Sequence, residues 1–99
     1  MIRRWLGLDR PTVSVTITGV VGGRMVRWEG KVRTGPGADV AAALAAAGKA
    51  ADIDLLGALA GGAQPAVLLD GRRLELPQDL HTTVETGARL SWLMPMAGG

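Results

Sequence analysis

Thr86-Gly87-Ala88-Arg89-Leu90-Ser91-Trp92-Leu93-Met94-Pro95-Met96-Ala97-Gly98-Gly99 joins two kinds of sequence. From 89 to 94, Leu90, Trp92 and Met94 alternate with Arg89, Ser91 and Leu93, the period of two that marks a strand with one face buried. Pro95 has no N–H to give a ladder, so pairing is expected to stop there. Gly98 and Gly99 follow, and a backbone without Cβ atoms passes through a slot too narrow for any other residue. The stretch predicts a last strand over 89–94 feeding a flexible tail over 95–99 that presents a bare α-carboxylate. No other stretch has the residue pattern of a site.

Working outward, 66–69 is a short apolar strand, Asp70-Gly71 is a turn signal, and 72–76 alternates with Leu74 and Leu76 on one face until Pro77 stops it. The connecting segment 78–85 links it to the last strand. Upstream, Ile53, Leu56 and Leu59 recur at helical spacing behind Asp52 or Asp54, predicting a short helix ended by Gly61-Gly62. Residues 38–47 are Ala-rich, with Val40, Ala43, Leu44 and Ala47 on one face, and predict the main helix. Asp39 is its candidate cap and Gly48 its expected end. Residues 12–21 alternate Val13, Val15 and Ile17 with Thr and Ser, Gly22-Gly23 turns the chain, and 24–33 sets Val26, Trp28 and Val32 against Met25, Arg27, Glu29 and Lys31. This predicts a β-hairpin with Trp28 packed against the helix. The spacing of Gly19, Gly22 and Gly23 fits no nucleotide fingerprint.

The 99 residues, 47% of them hydrophobic, suit one domain with an aliphatic core, since there is no Phe or Tyr and only three Trp. The predicted organisation is an extension over 1–11, in which Trp5 and Leu8 are able to dock, a domain over 12–94 and the tail over 95–99. The absence of Cys removes disulfides and thiolate chemistry and suits a reducing, cytoplasmic setting. With one His and no Cys, a transition-metal site is not expected. His81 has no carboxylate or hydroxyl partner at a telling spacing and reads as a loop residue. Lys49, Asp52 and Asp54 interrupt the apolar stretch 40–59, so no membrane span is expected. Arg3-Arg4 precedes no apolar run of the kind a twin-arginine signal needs. The net charge of +2 is spread along the chain without interleaved aromatics, which argues against nucleic acid. Folding that gathers several Arg on one face would attract an acidic protein partner.

A hairpin, a helix laid across it and a later set of strands define an α+β domain, and the last segment narrows the choice. It resembles the sulfur-carrier family that includes the small subunit of molybdopterin synthase and the thiamine-biosynthesis sulfur carrier, relatives of ubiquitin. That family commonly ends Asp-Gly-Asp-x-Val-x-x-x-Pro-Pro-Val-Ala-Gly-Gly. Gly87, Leu90, Pro95, Ala97, Gly98 and Gly99 fall in register with it, while Thr86, Ala88, Met94 and Met96 depart from it. Ala66-Val67-Leu68-Leu69-Asp70-Gly71 is similar to the family's Val-x-Val-Asn-Gly turn. The likeness covers 66–99, and over 12–60 only the order of elements agrees. It implies a ubiquitin-like β-grasp fold with a mixed sheet of about four to five strands, one main helix and a short second helix, the first and last strands lying side by side.

It also implies a chemistry. An α-carboxylate is anionic at neutral pH and a poor electrophile. The resemblance implies that a ubiquitin-activating-type adenylating enzyme uses ATP to turn Gly99 into an acyl-adenylate, and that a persulfide sulfur then leaves a thiocarboxylate. The chain itself would be a carrier, or a non-catalytic small subunit, with no bound cofactor. Its partners would be that enzyme and a sulfur-accepting synthase. Gly99 is the reacting residue, Gly98 the threading residue, and Pro95, Met96, Ala97 and Trp92 the partner contacts, Trp92 reading equally as core. Four extended residues past Pro95 reach about 13 Å, enough to enter another protein's active site. Two alternatives share the sequence: a ubiquitin-like modifier joined through Gly99 to a lysine of a target protein, and an interaction domain with an inert tail.

Overall fold

The computed structural model describes residues 11–94. The expectations for the N-terminal extension, with Trp5 and Leu8, and for Pro95, Met96, Ala97, Gly98 and Gly99 therefore lie outside the described residues.

Alternating β-branched residues favour a pleated, half-buried strand, and β1 (Thr12–Val21) buries Val13, Val15 and Ile17 completely while its Thr and Ser stay half-exposed. It pairs antiparallel with β2 (Arg24–Arg33) from Thr12 opposite Arg33 to Val21 opposite Arg24. Gly22 and Gly23 both have positive φ, 57° and 79°, as a two-residue turn between right-twisted strands requires. Trp28 is half-buried on the side of β2 that meets the core. A Cβ on Gly30 would sit 2.8 Å from its indole, so the ring lies across that glycine.

The main helix, α1 (Val40–Ala51), starts where expected: Asp39 Oδ1 accepts a hydrogen bond from the Ala42 amide at 2.9 Å. It does not end at Gly48. The helix continues to Ala51 and stops at Asp52, whose left-handed φ of 60° turns its N–H back to the Gly48 and Lys49 carbonyls. Gly48 is glycine for a different reason, because a Cβ there would collide with the Ile53 carbonyl oxygen. The second helix, α2 (Leu55–Ala60), is capped by Asp54, whose Oδ1 accepts from the Gly57 amide at 2.8 Å, and Gly61 closes it.

β3 (Ala66–Leu69) has its predicted limits, and Asp70-Gly71 turns it into β4. β4 is shorter than the alternation suggested: only Arg72–Arg73 stay in the ladder, opposite Leu69 and Leu68. Leu74 keeps one amide bond to the Val67 carbonyl and turns its side chain into the core, drawing the chain off the sheet before Pro77. The connecting segment holds a single 3₁₀ turn, Gln78–His81. β5 (Arg89–Leu93) is one residue shorter than predicted.

The five strands form one mixed sheet in the order β2-β1-β5-β3-β4. β5 runs parallel to β1 and antiparallel to β3, so the last strand is the middle one. Val13, Val15, Ile17, Leu90 and Trp92 from the sheet meet Leu44 of α1 and Leu55 of α2 in a single cluster. The small residues Ala43 and Ala47, also fully buried, let α1 lie close to the strands. Each fully buried aliphatic side chain contributes about 1.5–3 kcal/mol relative to an exposed one, so the lack of Phe and Tyr is offset by many medium-sized contacts.

Candidate functional site: the exit of the last strand

The described chain leaves the sheet at the end of β5, and the position of that exit follows from register. Leu93 is opposite Thr18 in the parallel pair, and the Met94 amide still donates to the Thr18 carbonyl at 2.8 Å. The next residue of β1, Gly19, is buried with φ 125°, far outside the range open to L side chains. A Cβ on it would lie 2.6 Å from the Met94 Cβ and closer still to the Met94 carbonyl oxygen. The last described residue of the chain thus rests against the bare backbone of Gly19. The only signal for it in the sequence is a glycine interrupting the run Val15-Thr16-Ile17-Thr18, where glycine commonly marks a close backbone approach.

The exposed large apolar side chains of the described residues gather around this exit, beside Arg27. Val20 (43% exposed) faces Met25 (58%) across the hairpin, and Leu93 (41%) projects from β5 beside Thr18. All three lie on the sheet face turned away from the helices, as their alternation with buried neighbours shows.

Of the predicted partner contacts, Trp92 alone is described, and it is not on the surface. Its side chain is completely buried, with Ile17 and Val67 as its strand neighbours. The alternation that makes 89–94 a strand turns Trp92 inward with Leu90, so of its two sequence readings the structure selects core. Its indole N–H is buried without a hydrogen-bond partner. Leu93, one residue on, takes the outward position. Gly99, Gly98, Ala97, Met96 and Pro95 lie beyond the described residues.

His81 does have a carboxylate neighbour, which sequence spacing did not show: its Nδ1 is 3.7 Å from Asp39 Oδ2, with the imidazole 85% exposed. The 78–85 segment folds back onto the start of α1, where Val40 N–H donates to the Thr82 carbonyl and Val84 N–H to the Ala38 carbonyl. Asp39 is already engaged in capping the helix, and no nucleophile accompanies the pair. A cleft of about 710 Å³ between the end of α2 and the chain after β4 is lined by Leu59, Pro65, Leu76 and Leu80 with Arg73 and Glu75. No three His, Asp or Glu side chains gather to hold a metal ion among the described residues, and no helix there is long and apolar enough to cross a membrane. No family model matches the chain, and neither the curated proteins nor the solved structures contain a match.

Proposed function

We propose that this is a sulfur carrier of ubiquitin-like β-grasp fold, whose Gly99 carboxylate is adenylated by an activating enzyme and converted to a thiocarboxylate. The observation that carries the reading is the position of β5. It is the central strand, parallel to β1 in the order β2-β1-β5-β3-β4, and only Met94 separates it in sequence from Pro95-Met96-Ala97-Gly98-Gly99. A tail rooted in the middle strand is held by pairing on both sides, so an enzyme pulling on it works against the whole sheet and not against a frayed edge.

A Gly99 carboxylate oxygen attacks the α-phosphorus of ATP, pyrophosphate leaves, and the mixed anhydride carries AMP as a good leaving group. The terminal sulfur of an enzyme-bound persulfide attacks the Gly99 carbonyl carbon and AMP departs. A thiol then cleaves the resulting acyl disulfide, taking one sulfur into a new disulfide and leaving the other as the thiocarboxylate. The transferred sulfur is therefore held on the acyl carbon, and the carrier needs no cysteine of its own.

Intact-mass measurement on protein recovered from its native cell tests this. The expected result is a species whose chain ends at Gly99 and is heavier by one oxygen exchanged for one sulfur, absent when Gly98 and Gly99 are deleted from a chain that still folds. Higher-mass adducts that resist reductant and contain an amide to lysine would replace this reading with protein conjugation. A chain extending past Gly99 without processing, or full biological activity in the truncated form, would refute both.

A further inference from the structure

The sheet face turned away from the helices collects charge of one sign. Alternation along β2 puts Arg27, Lys31 and Arg33 on it, and strand register adds Arg89 of β5, opposite Ser14, and Arg73 of β4, opposite Leu68. Within the strands its carboxylate is Glu29, while Glu75 is exposed just past Arg73 and Glu85 in the segment before β5. Asp39 and Asp54 cap helices, Asp52 ends α1, Asp70 sits in the β3–β4 turn and Asp79 in the 3₁₀ turn. The exposed large apolar side chains of the described residues, Val20, Met25 and Leu93, are all on this same face at its tail-exit end.

We propose that the open sheet face is a docking surface for an acidic protein segment that carries aliphatic side chains between its carboxylates. The strand cations of this face outnumber its carboxylates, and an acidic partner relieves their mutual repulsion on the free protein while steering the encounter. Val20, Met25 and Leu93 supply the apolar contact that charge alone does not. Nucleic acid fits less well: Trp28 and Trp92 both face the helix side, leaving this face without a described aromatic ring on which bases stack. A lipid surface also fits less well, because a rigid twisted sheet has no amphipathic helix to insert. The inference does not depend on the chemistry of Gly99.

Titration of the ¹⁵N-labelled full chain with a synthetic peptide of Glu and Asp interspersed with Leu and Val, at low and high NaCl, tests it. Amide shifts are expected to cluster at Val20, Met25, Arg27, Arg89 and Leu93, with affinity falling as salt rises. The double reversal Arg27→Glu/Arg89→Glu is expected to weaken binding about tenfold, and Arg27→Gln/Arg89→Gln to weaken it less, each checked for folding by circular dichroism. The proposal is overturned by an absence of shifts, by shifts on the helix side, by affinity indifferent to salt or to both charge variants, or by tighter binding of oligo-dT or phosphatidylserine vesicles.

Discussion

Replacing Gly19 by Ala tests whether the strand exit is built as described. Two costs can be worked out separately. Forcing a side chain into a residue held at φ 125° costs about 1–3 kcal/mol. The new methyl also displaces Met94, whose Cβ lies 2.6 Å from the Cβ position. Since Met94 is the first residue past β5, it can swing away, and the loss is then its hydrogen bond to Thr18, about 1 kcal/mol. The sum, about 2–4 kcal/mol, corresponds to a fall in Tm on the order of 10–20 °C for a domain of this size. Thermal melting followed by circular dichroism reads the sum, and NMR hydrogen exchange separates its parts. The Met94 amide should lose its protection against exchange beyond the global change, while the Trp92 amide in the middle of the ladder follows global stability. If Gly19→Ala melts within about 2 °C of the parent and leaves Met94 protected, the close approach described here is wrong. If Gly99 is adenylated as proposed, the same variant should also lower kcat/KM for that reaction, since the tail then leaves the sheet in a different direction.

Three further substitutions probe the scaffold. Gly48→Ala should destabilise by about 1–2 kcal/mol although Ala is the better helix former, because overpacking against the Ile53 carbonyl outweighs the propensity gain of about 1 kcal/mol; an increase in the urea midpoint would contradict this. Trp92→Phe should cost less than about 2 kcal/mol, since it keeps a ring in the core and removes a buried N–H that has no partner, whereas Trp92→Ala should cost about 3–5 kcal/mol; equal losses in chemical denaturation would show that ring packing at this position does not support the core. Asp39→Ala removes the cap on α1 and should lower stability by about 1 kcal/mol, whereas Asp39→Asn should retain most of it; a loss as large with Asn as with Ala would assign the effect to charge near His81 and not to capping.

Strands and turns were legible locally because their signals are local. Period-two alternation set the limits of β1 and β2, Gly22-Gly23 the turn between them, and Asp39 the start of α1. The errors share a cause. Gly48 has the local signature of a helix end because glycine usually ends helices, but here it answers to a backbone oxygen five residues away, brought close only when the chain folds back. The alternation over 72–76 was real, yet β4 has a partner on one side only, and burying Leu74 draws the chain away from the ladder.

The sequence by itself determined the element types, which residues share a face of each strand, and a last strand that runs toward Gly98-Gly99, since all of these follow from spacing along one chain. Only the tertiary structure decided that β5 lies between β1 and β3, that Trp92 is core while Leu93 faces outward beside Val20 and Met25, that Gly19 makes room for Met94, and that five cations share one face. The physical reason is that strand order, close backbone approaches and charge grouping depend on contacts between residues far apart in sequence, which no local periodicity encodes.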